Sequence, residues 1–172
     1  WPFLFIGIFT FTLGMIIWTV SSAIKTPVNE DKTFLAKYQT VDDKFNEMIT
    51  SNEEFKKIYD FKIFINDREL GLITQDIYYS QRVLEKKSKH KNLLVKGENT
   101  ITIKLFGKNG NEIKNNLVNF RVTKATNNKS DMDFNTFDAK VNIPIQGNWN
   151  ITGTVETDNG DKGYFYIKTN AI

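Results

Sequence analysis

Residues 149–167 read WNITGTVETDNGDKGYFYI, and this stretch decides the fold class. Trp149 and Ile151 are two residues apart, a spacing that puts both side chains on one face of a β-strand. The Asn159-Gly160 pair then supplies a two-residue turn signal. A second apolar segment, Tyr164–Ile167, follows the turn. The stretch therefore predicts a β-hairpin with one buried face.

Upstream of this hairpin, the same alternation of apolar residues with polar or exposed positions recurs. It is found in residues 61–65, 101–105, 118–122 and 141–145. Pro144 indicates an edge position for the last of these runs, because proline cannot donate to a strand ladder. Turn signals follow two of the runs, at Asn66-Asp67 and Asn109-Gly110.

The number of predicted strands is seven to nine if one or two more lie between Leu70 and Leu84. Strands of this number and spacing predict an all-β, immunoglobulin-like antiparallel sandwich over residues 61–172, without the Cys–Trp–Cys signature of antibody domains. The polar segments Glu85–Asn92 and Ala125–Asp133 are predicted to be loops.

The N-terminal segment is apolar and uncharged as far as Lys25. As a helix, its first 24 residues would be about 36 Å long, enough to cross a hydrocarbon core of about 30 Å. The small residues Val20-Ser21-Ser22-Ala23 resemble a cleavage site, so a removable signal peptide is the alternative. The apolar region of a signal peptide is shorter and follows a basic start. Residues 1–26 are therefore predicted to be a single transmembrane anchor.

One face of this anchor carries small side chains. Gly7, Gly14 and Ser21 recur every seven residues, and Thr10 falls on the same face. Small residues let helices approach closely in lipid, where no hydrophobic force drives their association. The face is a candidate partner-binding surface, although Gly and Thr also occur in membrane helices without such a role. The anchor has no ionisable side chain before Lys25, which argues against a proton or ion path.

Residues 27–60 form a juxtamembrane segment with helical periodicity. An apolar stripe runs through Phe34, Tyr38, Val41, Phe45 and Met48. Two interpretations of this stripe remain open. It packs against the chain's own β-domain, or it lies against a partner just above the membrane surface. Ser51 and Glu54 further predict a capping box that starts a short helix burying Phe55 and Ile58.

The composition argues against several classes of function. A net charge of +3 is too small to indicate nucleic acid as a partner. The chain has no cysteine and a single histidine, His90, which lies among the lysines 86, 87, 89 and 91. We expect that loop to be solvated, with an anionic lipid or an acidic partner as the alternative. No catalytic residue, metal ligand or bound cofactor is predicted, and we expect no enzyme.

The order of these parts resembles the FixH/CcoH family. The resemblance rests on Trp1-Pro2 with the apolar run to Ile24, and on Lys25-Thr26-Pro27-Val28 after it. Tyr38-Gln39 and the Gly147-Asn148-Trp149 turn before the last hairpin also match. Many members carry a paired tyrosine soon after the anchor. Here Tyr78-Tyr79 falls much later, so that motif is not carried over.

The resemblance implies a single-span protein of the bacterial inner membrane with its β-domain in the periplasm. Its role would be that of a non-catalytic accessory subunit that assembles or stabilises a cbb3-type cytochrome c oxidase. Haem and copper would then belong to the oxidase, and the partners would be oxidase subunits and membrane lipid. The expected contacts are Gly7, Thr10, Gly14 and Ser21 on the anchor, with Phe34, Tyr38 and Val41 in the stripe. The alternative is a membrane-tethered immunoglobulin-like module that binds an envelope ligand.

Overall fold

A computed structural model of the chain describes residues 1–25, 38–73, 89–113 and 116–172. Within these ranges, side chains are described outside 38–44 and 127–128. The chain divides into two compact units, Trp1–Glu30 and Asp31–Ile172. The first contains one helix, and the second contains a helix and two β-sheets.

Helix α1, Pro2–Lys25, makes up the first unit. It is long and apolar enough to cross a membrane, and a secretory signal sequence can have the same properties. Its threonines bond within the helix: the hydroxyl of Thr10 donates to the carbonyl of Ile6 at 2.8 Å, and Thr12 and Thr19 make the same contact one turn back. These bonds satisfy the hydroxyl donors internally, as a segment surrounded by hydrocarbon requires.

The second unit is built from two four-stranded sheets, each of them antiparallel throughout the described residues. The strand orders are β2-β1-β3-β6 and β5-β4-β7-β8. The strands are β1 Tyr59–Ile65, β2 Arg68–Leu70, β3 Gly97–Gly107, β4 Asn116–Lys124, β5 Asn127–Phe134, β6 Asp138–Ile143, β7 Gly147–Thr157 and β8 Lys162–Ala171. The predicted antiparallel sandwich is thus confirmed at this level.

The registers define two ends of the sandwich. At the upper end, β1 and β6 finish while β3 begins, since Ile65 pairs with Ile101 and Gly97 pairs with Ile143. The start of β7 and the finish of β8 lie at the same end, since Gly147 pairs with Ala171, and Ala171 bridges to Leu94 just before β3. The turns after β3 and β7 lie at the opposite, lower end.

The core lies between the two sheets. Alternate residues of each strand point inward, so the apolar positions found in the sequence are the buried ones. Ile63 and Ile151 are fully buried, and Trp149 is the largest side chain among the fully buried residues described. Burial of each such side chain stabilises the fold by about 1.5–3 kcal/mol relative to exposure.

Both Asn-Gly pairs lie in turns, but the predicted two-residue hairpin loops are wrong in both places. A three-residue loop around Asn159 joins β7 to β8, with Thr157 N–H bonded to the carbonyl of Asp161 at 3.0 Å. After the turn at Asn109, the chain pairs with β3 through an isolated bridge between Phe106 and Glu112. The chain then crosses to the other sheet, so this turn does not join two paired strands.

Helix α2, Tyr38–Ile58, packs on β8. It is continuous through Ser51, so the predicted helix start at that residue is wrong. The Ser51 hydroxyl instead donates to the carbonyl of Lys162 at 2.6 Å. Phe55 is buried as predicted, but Ile58 is 49% exposed because the helix ends there and the chain turns into β1.

Two further predictions concern edge strands. The position of β6 at the edge of its sheet confirms the interpretation of Pro144, although Ile145 lies beyond the strand and is 52% exposed. The predicted loop Ala125–Asp133 is wrong: only a tight turn at 125–126 precedes strand β5. The predicted loop Glu85–Asn92 is described only from residue 89, where no strand is present. Tyr78-Tyr79 lies outside the described residues.

An ion pair between Arg121 and Asp133 links β4 to β5, and it makes the free energy of unfolding depend on pH in the acid range. Arg121 donates to Asp133 through Nη2 at 2.9 Å and also through Nε. This hydrogen bonding holds the pKa of Asp133 below its ordinary value of 3.8. A carboxyl whose pKa is lower in the folded state stabilises the fold above its unfolded pKa, and that stabilisation is lost as the pH falls through the folded value.

We therefore expect Asp133→Asn to lower the free energy of unfolding at neutral pH by at most about 0.5 kcal/mol, because the Asp133 side chain is 66% exposed and solvent screens the pair. The difference from the unmodified chain should vanish well below pH 3.8, where Asp133 is protonated in both states. Urea titrations at neutral and acid pH measure this. A difference of the same size at both pH values would contradict the assignment.

Candidate partner-binding surfaces

The predicted small-residue face is present on α1. At about 100° per residue, Gly7, Thr10 and Gly14 lie within about 60° of one another around the helix, and Ser21 falls in the same sector. All of them are exposed in this unit. A Cβ added at Gly7 or Gly14 would meet no atom within 4 Å. The face is therefore a strip of small, exposed side chains along about 21 Å of helix.

The chemistry of this face is limited to close packing. Because the Thr10 hydroxyl already donates to the carbonyl of Ile6, it adds little polarity to this face. A partner helix at such a face gains van der Waals contact with the backbone. The contact of Gly7, Thr10, Gly14 and Ser21 with a partner stays a prediction.

The stripe of the juxtamembrane segment divides into two parts. Phe34 lies outside the described residues, and Tyr38 and Val41 lie in α2 with side chains outside the described part. Phe45 and Met48 are buried in a small cluster with Tyr166 of β8. The described part of the stripe thus packs on the chain's own sandwich. A partner contact at Phe34, Tyr38 and Val41 stays a prediction.

Asn52 is the structural residue that the sequence reasoning missed. It follows Met48 by one turn of α2 and is only 2% exposed. Its side-chain oxygen accepts the N–H of Tyr164 at 2.7 Å, and its side-chain nitrogen donates to the carbonyl of Tyr164 at 2.8 Å. Asn52 therefore supplies, at Tyr164, the two bonds that a neighbouring strand would give to the edge strand β8. Its position on an otherwise apolar helix stripe was the available signal.

The Gly147-Asn148-Trp149 motif, which contributes to the family resemblance, forms the start of strand β7, so its prediction as a turn is wrong. Gly147 has a φ of 121°, a conformation that L side chains rarely adopt. The indole N–H of Trp149 donates to the carbonyl of Ile145 at 3.1 Å. The ammonium of Lys124 lies 5.2 Å from the centre of its ring and donates to the carbonyl of Gln146 at 2.9 Å. These contacts thus fix the backbone at the start of β7 and hold the Trp149 ring in the core.

The basic loop is described only in part. Lys86 and Lys87 lie outside the described residues, whereas Lys89 and Lys91 are exposed. Arg68 donates to the carbonyl of Lys91 at 3.0 Å. The loop is further tied to the end of β8, because the side-chain nitrogen of Asn170 donates to Asn92 at 2.6 Å.

Sites for small ligands are modest in the part of the chain that the structure describes. Across those residues, no three His, Cys, Asp or Glu side chains lie where they could hold a metal ion. One cleft of about 210 Å³ lies beside Leu105 and Phe137, and a more open one of about 450 Å³ lies beside Asp60 and Lys108. Neither of these clefts contains a histidine.

Compared with known proteins, the chain matches no family model and no curated relative. The FixH/CcoH resemblance therefore rests on the residues quoted for it and stays a prediction.

Proposed function

We propose that this protein is a membrane-anchored, non-catalytic accessory subunit that acts by docking on a larger membrane complex. The observation that carries the proposal is the open face of α1 at Gly7 and Gly14, where an added Cβ would meet no atom within 4 Å. Such a face suits close contact with another membrane helix. Thr10 and Ser21 extend it along the helix, and the first residues of the juxtamembrane stripe are the proposed second contact.

The proposed complex is a bacterial cbb3-type cytochrome c oxidase, on the basis of the FixH/CcoH resemblance. In this proposal α1 spans the inner membrane and the sandwich lies in the periplasm. Haem and copper belong to the oxidase, and this chain contributes assembly or stability through protein contacts. A role without a bound metal agrees with a chain that has no cysteine and one histidine.

The sandwich is proposed to be immunoglobulin-like. If the short strand β2 is set aside, the remaining strands in the described residues number seven in chain order. Strands one, two and five then form one sheet, and the other sheet has the order four-three-six-seven. This order agrees with strands A, B and E facing C′, C, F and G of that fold class.

The first test is purification of the full chain from its native membrane in mild detergent, with haem spectra of the eluate. We expect b- and c-type haem together with oxidase subunits. Gly7→Ile with Gly14→Ile should lower the haem recovered per chain by about tenfold, since the bulky side chains prevent close approach without adding charge. Phe9→Ile with Ile16→Leu, on the opposite face, is the matched control.

Each outcome has a distinct meaning. A haem-free eluate from the unmodified chain would reject a stable oxidase subunit. Equal haem from the Gly7/Gly14 variant and its control would reject this face as the contact, even if the oxidase is the partner.

A second candidate function is a membrane-tethered module that binds an envelope ligand. The exposed Lys89 and Lys91 favour it, because a loop held by Arg68 and Asn170 presents fixed positive charge. In that case the α1 substitutions have no effect on binding, and substitutions in the basic loop abolish it.

A further inference from the structure

Exposed aliphatic side chains and positive charge occur together at the upper end of the sandwich. Val95 is 42% exposed and Ile145 is 52% exposed. Ile172 is 56% exposed and lies beside Val95, because its N–H bonds to the carbonyl of Leu94 and its carbonyl accepts the N–H of Lys96. Ile145 leads into β7, whose first residue Gly147 pairs with Ala171.

The loops that carry these side chains are held rigidly. Asn99, only 1% exposed, accepts the N–H of Val95 and donates to its carbonyl, both at 2.8 Å. The indole of Trp149 fixes the carbonyl of Ile145 in the same way. Buried polar side chains thus hold the backbone of both loops while the aliphatic groups point outward. The aliphatic groups are therefore already ordered for contact with another surface.

The charges at the two ends differ in sign. Among described residues 66–68, 89–98, 124–126 and 144–148, five are basic and two are acidic: Arg68, Lys89, Lys91, Lys96 and Lys124 against Asp67 and Glu98. In the lower loops 107–113 and 157–162, two are basic and three are acidic: Lys108 and Lys162 against Glu112, Asp158 and Asp161.

We propose that the upper end of the sandwich docks on an anionic phospholipid surface, with Val95 and Ile145 entering the headgroup region and the surrounding lysines pairing with lipid phosphates. Aliphatic groups ringed by positive charge match the two attractions that such a surface offers, apolar burial and electrostatics. An acidic protein would bind the positive charges, but it would not account for the exposed aliphatic side chains on fixed loops.

The course of the chain agrees with this docking. α2 contacts Tyr164 through Asn52 and Tyr166 through Phe45 and Met48, so it runs antiparallel to β8. The beginning of α2 therefore lies toward the upper end. The twelve residues 26–37 between α1 and α2 can span at most about 45 Å. If α1 is a membrane anchor, as in the proposed function, a bilayer surface is within reach of the domain.

The experiment uses the full chain, reconstituted in vesicles of phosphatidylcholine alone or of equal parts phosphatidylcholine and phosphatidylglycerol. Because the chain has no cysteine, Val95→Cys or Ile145→Cys each gives one fluorescent label. Leu117→Cys is the matched control, since Leu117 is 67% exposed near the lower end. We expect spin-labelled lipid to quench the labels at 95 and 145 in the anionic vesicles only, and added salt to weaken that quenching.

Neutralising two upper-end lysines, Lys91→Gln with Lys96→Gln, should lower the docked-to-free ratio by about fivefold for each lysine and so by about 25-fold. Lys56→Gln with Lys108→Gln removes the same charge away from the upper end and should change little. Labels at 95 and 145 that are quenched no more than the label at 117 in anionic vesicles would overturn the proposal.

Failure of the anchor is distinguishable from failure of the docking surface. If α1 does not anchor the chain, the protein will not float with the neutral vesicles. In that case, flotation with the anionic vesicles alone still supports the docking surface, and flotation with neither overturns it. In native membranes, the label at 95 can also be tested with a water-soluble quencher. If that label is protected there but is not quenched by spin-labelled lipid in the anionic vesicles, the lipid-docking proposal is overturned in favour of an acidic protein.

Discussion

Gly153→Ala is expected to lower the free energy of unfolding by about 3 kcal/mol. A Cβ at this position would lie 2.6 Å from Cβ of Phe120, 2.8 Å from the carbonyl oxygen of Asn119 and against Cζ of Phe165. Two of these obstacles are a backbone oxygen and a Cβ, which cannot rotate away. Forcing an extra carbon into a packed core costs about 1–3 kcal/mol, and rigid neighbours place the cost at the upper end of that range.

The measurement is urea unfolding of the full chain in detergent, compared with the unmodified protein. Gly71→Ala is the matched control, because its Cβ would meet only the carbonyl oxygen of Phe61, at 3.9 Å. We expect that control to change stability by less than about 0.5 kcal/mol. Equal unfolding midpoints for Gly153→Ala and Gly71→Ala would contradict the packing described for β7.

Asn52→Ala is expected to cost a similar amount, about 3 kcal/mol. The substitution leaves the N–H and the carbonyl of Tyr164 without the two bonds that Asn52 now makes, at 2.7 and 2.8 Å. A buried polar group left unsatisfied costs about 1–3 kcal/mol, and here two groups are affected. The amide of Tyr164 should also exchange its hydrogen faster, because α2 no longer closes the edge of β8.

Asn46→Ala is the control for this substitution, since Asn46 is an exposed asparagine on the same helix. It should leave stability within about 0.5 kcal/mol. Asn52→Asp separates the two bonds, because a carboxylate can accept from Tyr164 N–H but cannot donate to its carbonyl. Unchanged exchange at Tyr164 in Asn52→Ala would show that the edge of β8 is protected by something other than this side chain.

The core strands could be predicted from sequence because their physics is local. Ile103 and Ile151 alternate with polar neighbours, and a strand with one buried face needs only that pattern. Strand β5 was missed because residues 127–134, NNKSDMDF, offer two apolar side chains, Met132 and Phe134, at its far end. An edge strand of this kind forms because β4 is already there to pair with it.

The candidate surfaces divide in the same way. The small-residue face of α1 follows from sequence, because helical periodicity alone brings Gly7 and Gly14 together. Packing of Phe45 and Met48 on Tyr166 cannot be predicted from sequence. The apolar periodicity is the same whether the stripe covers the chain's own sheet or a partner. The upper end also could not be read from sequence, since Val95 and Ile145 are brought together only by strand pairing.

The contact between Asn52 and Tyr164 joins residues that are 112 positions apart. A ribosome adds residues one at a time from the N-terminus, so α2 is completed long before β8 exists. During that interval Phe45, Met48 and Asn52 have no surface to cover. The first part of this domain to be synthesised is therefore the last to be packed, and the nascent chain carries an uncovered amphipathic helix until the final strand emerges.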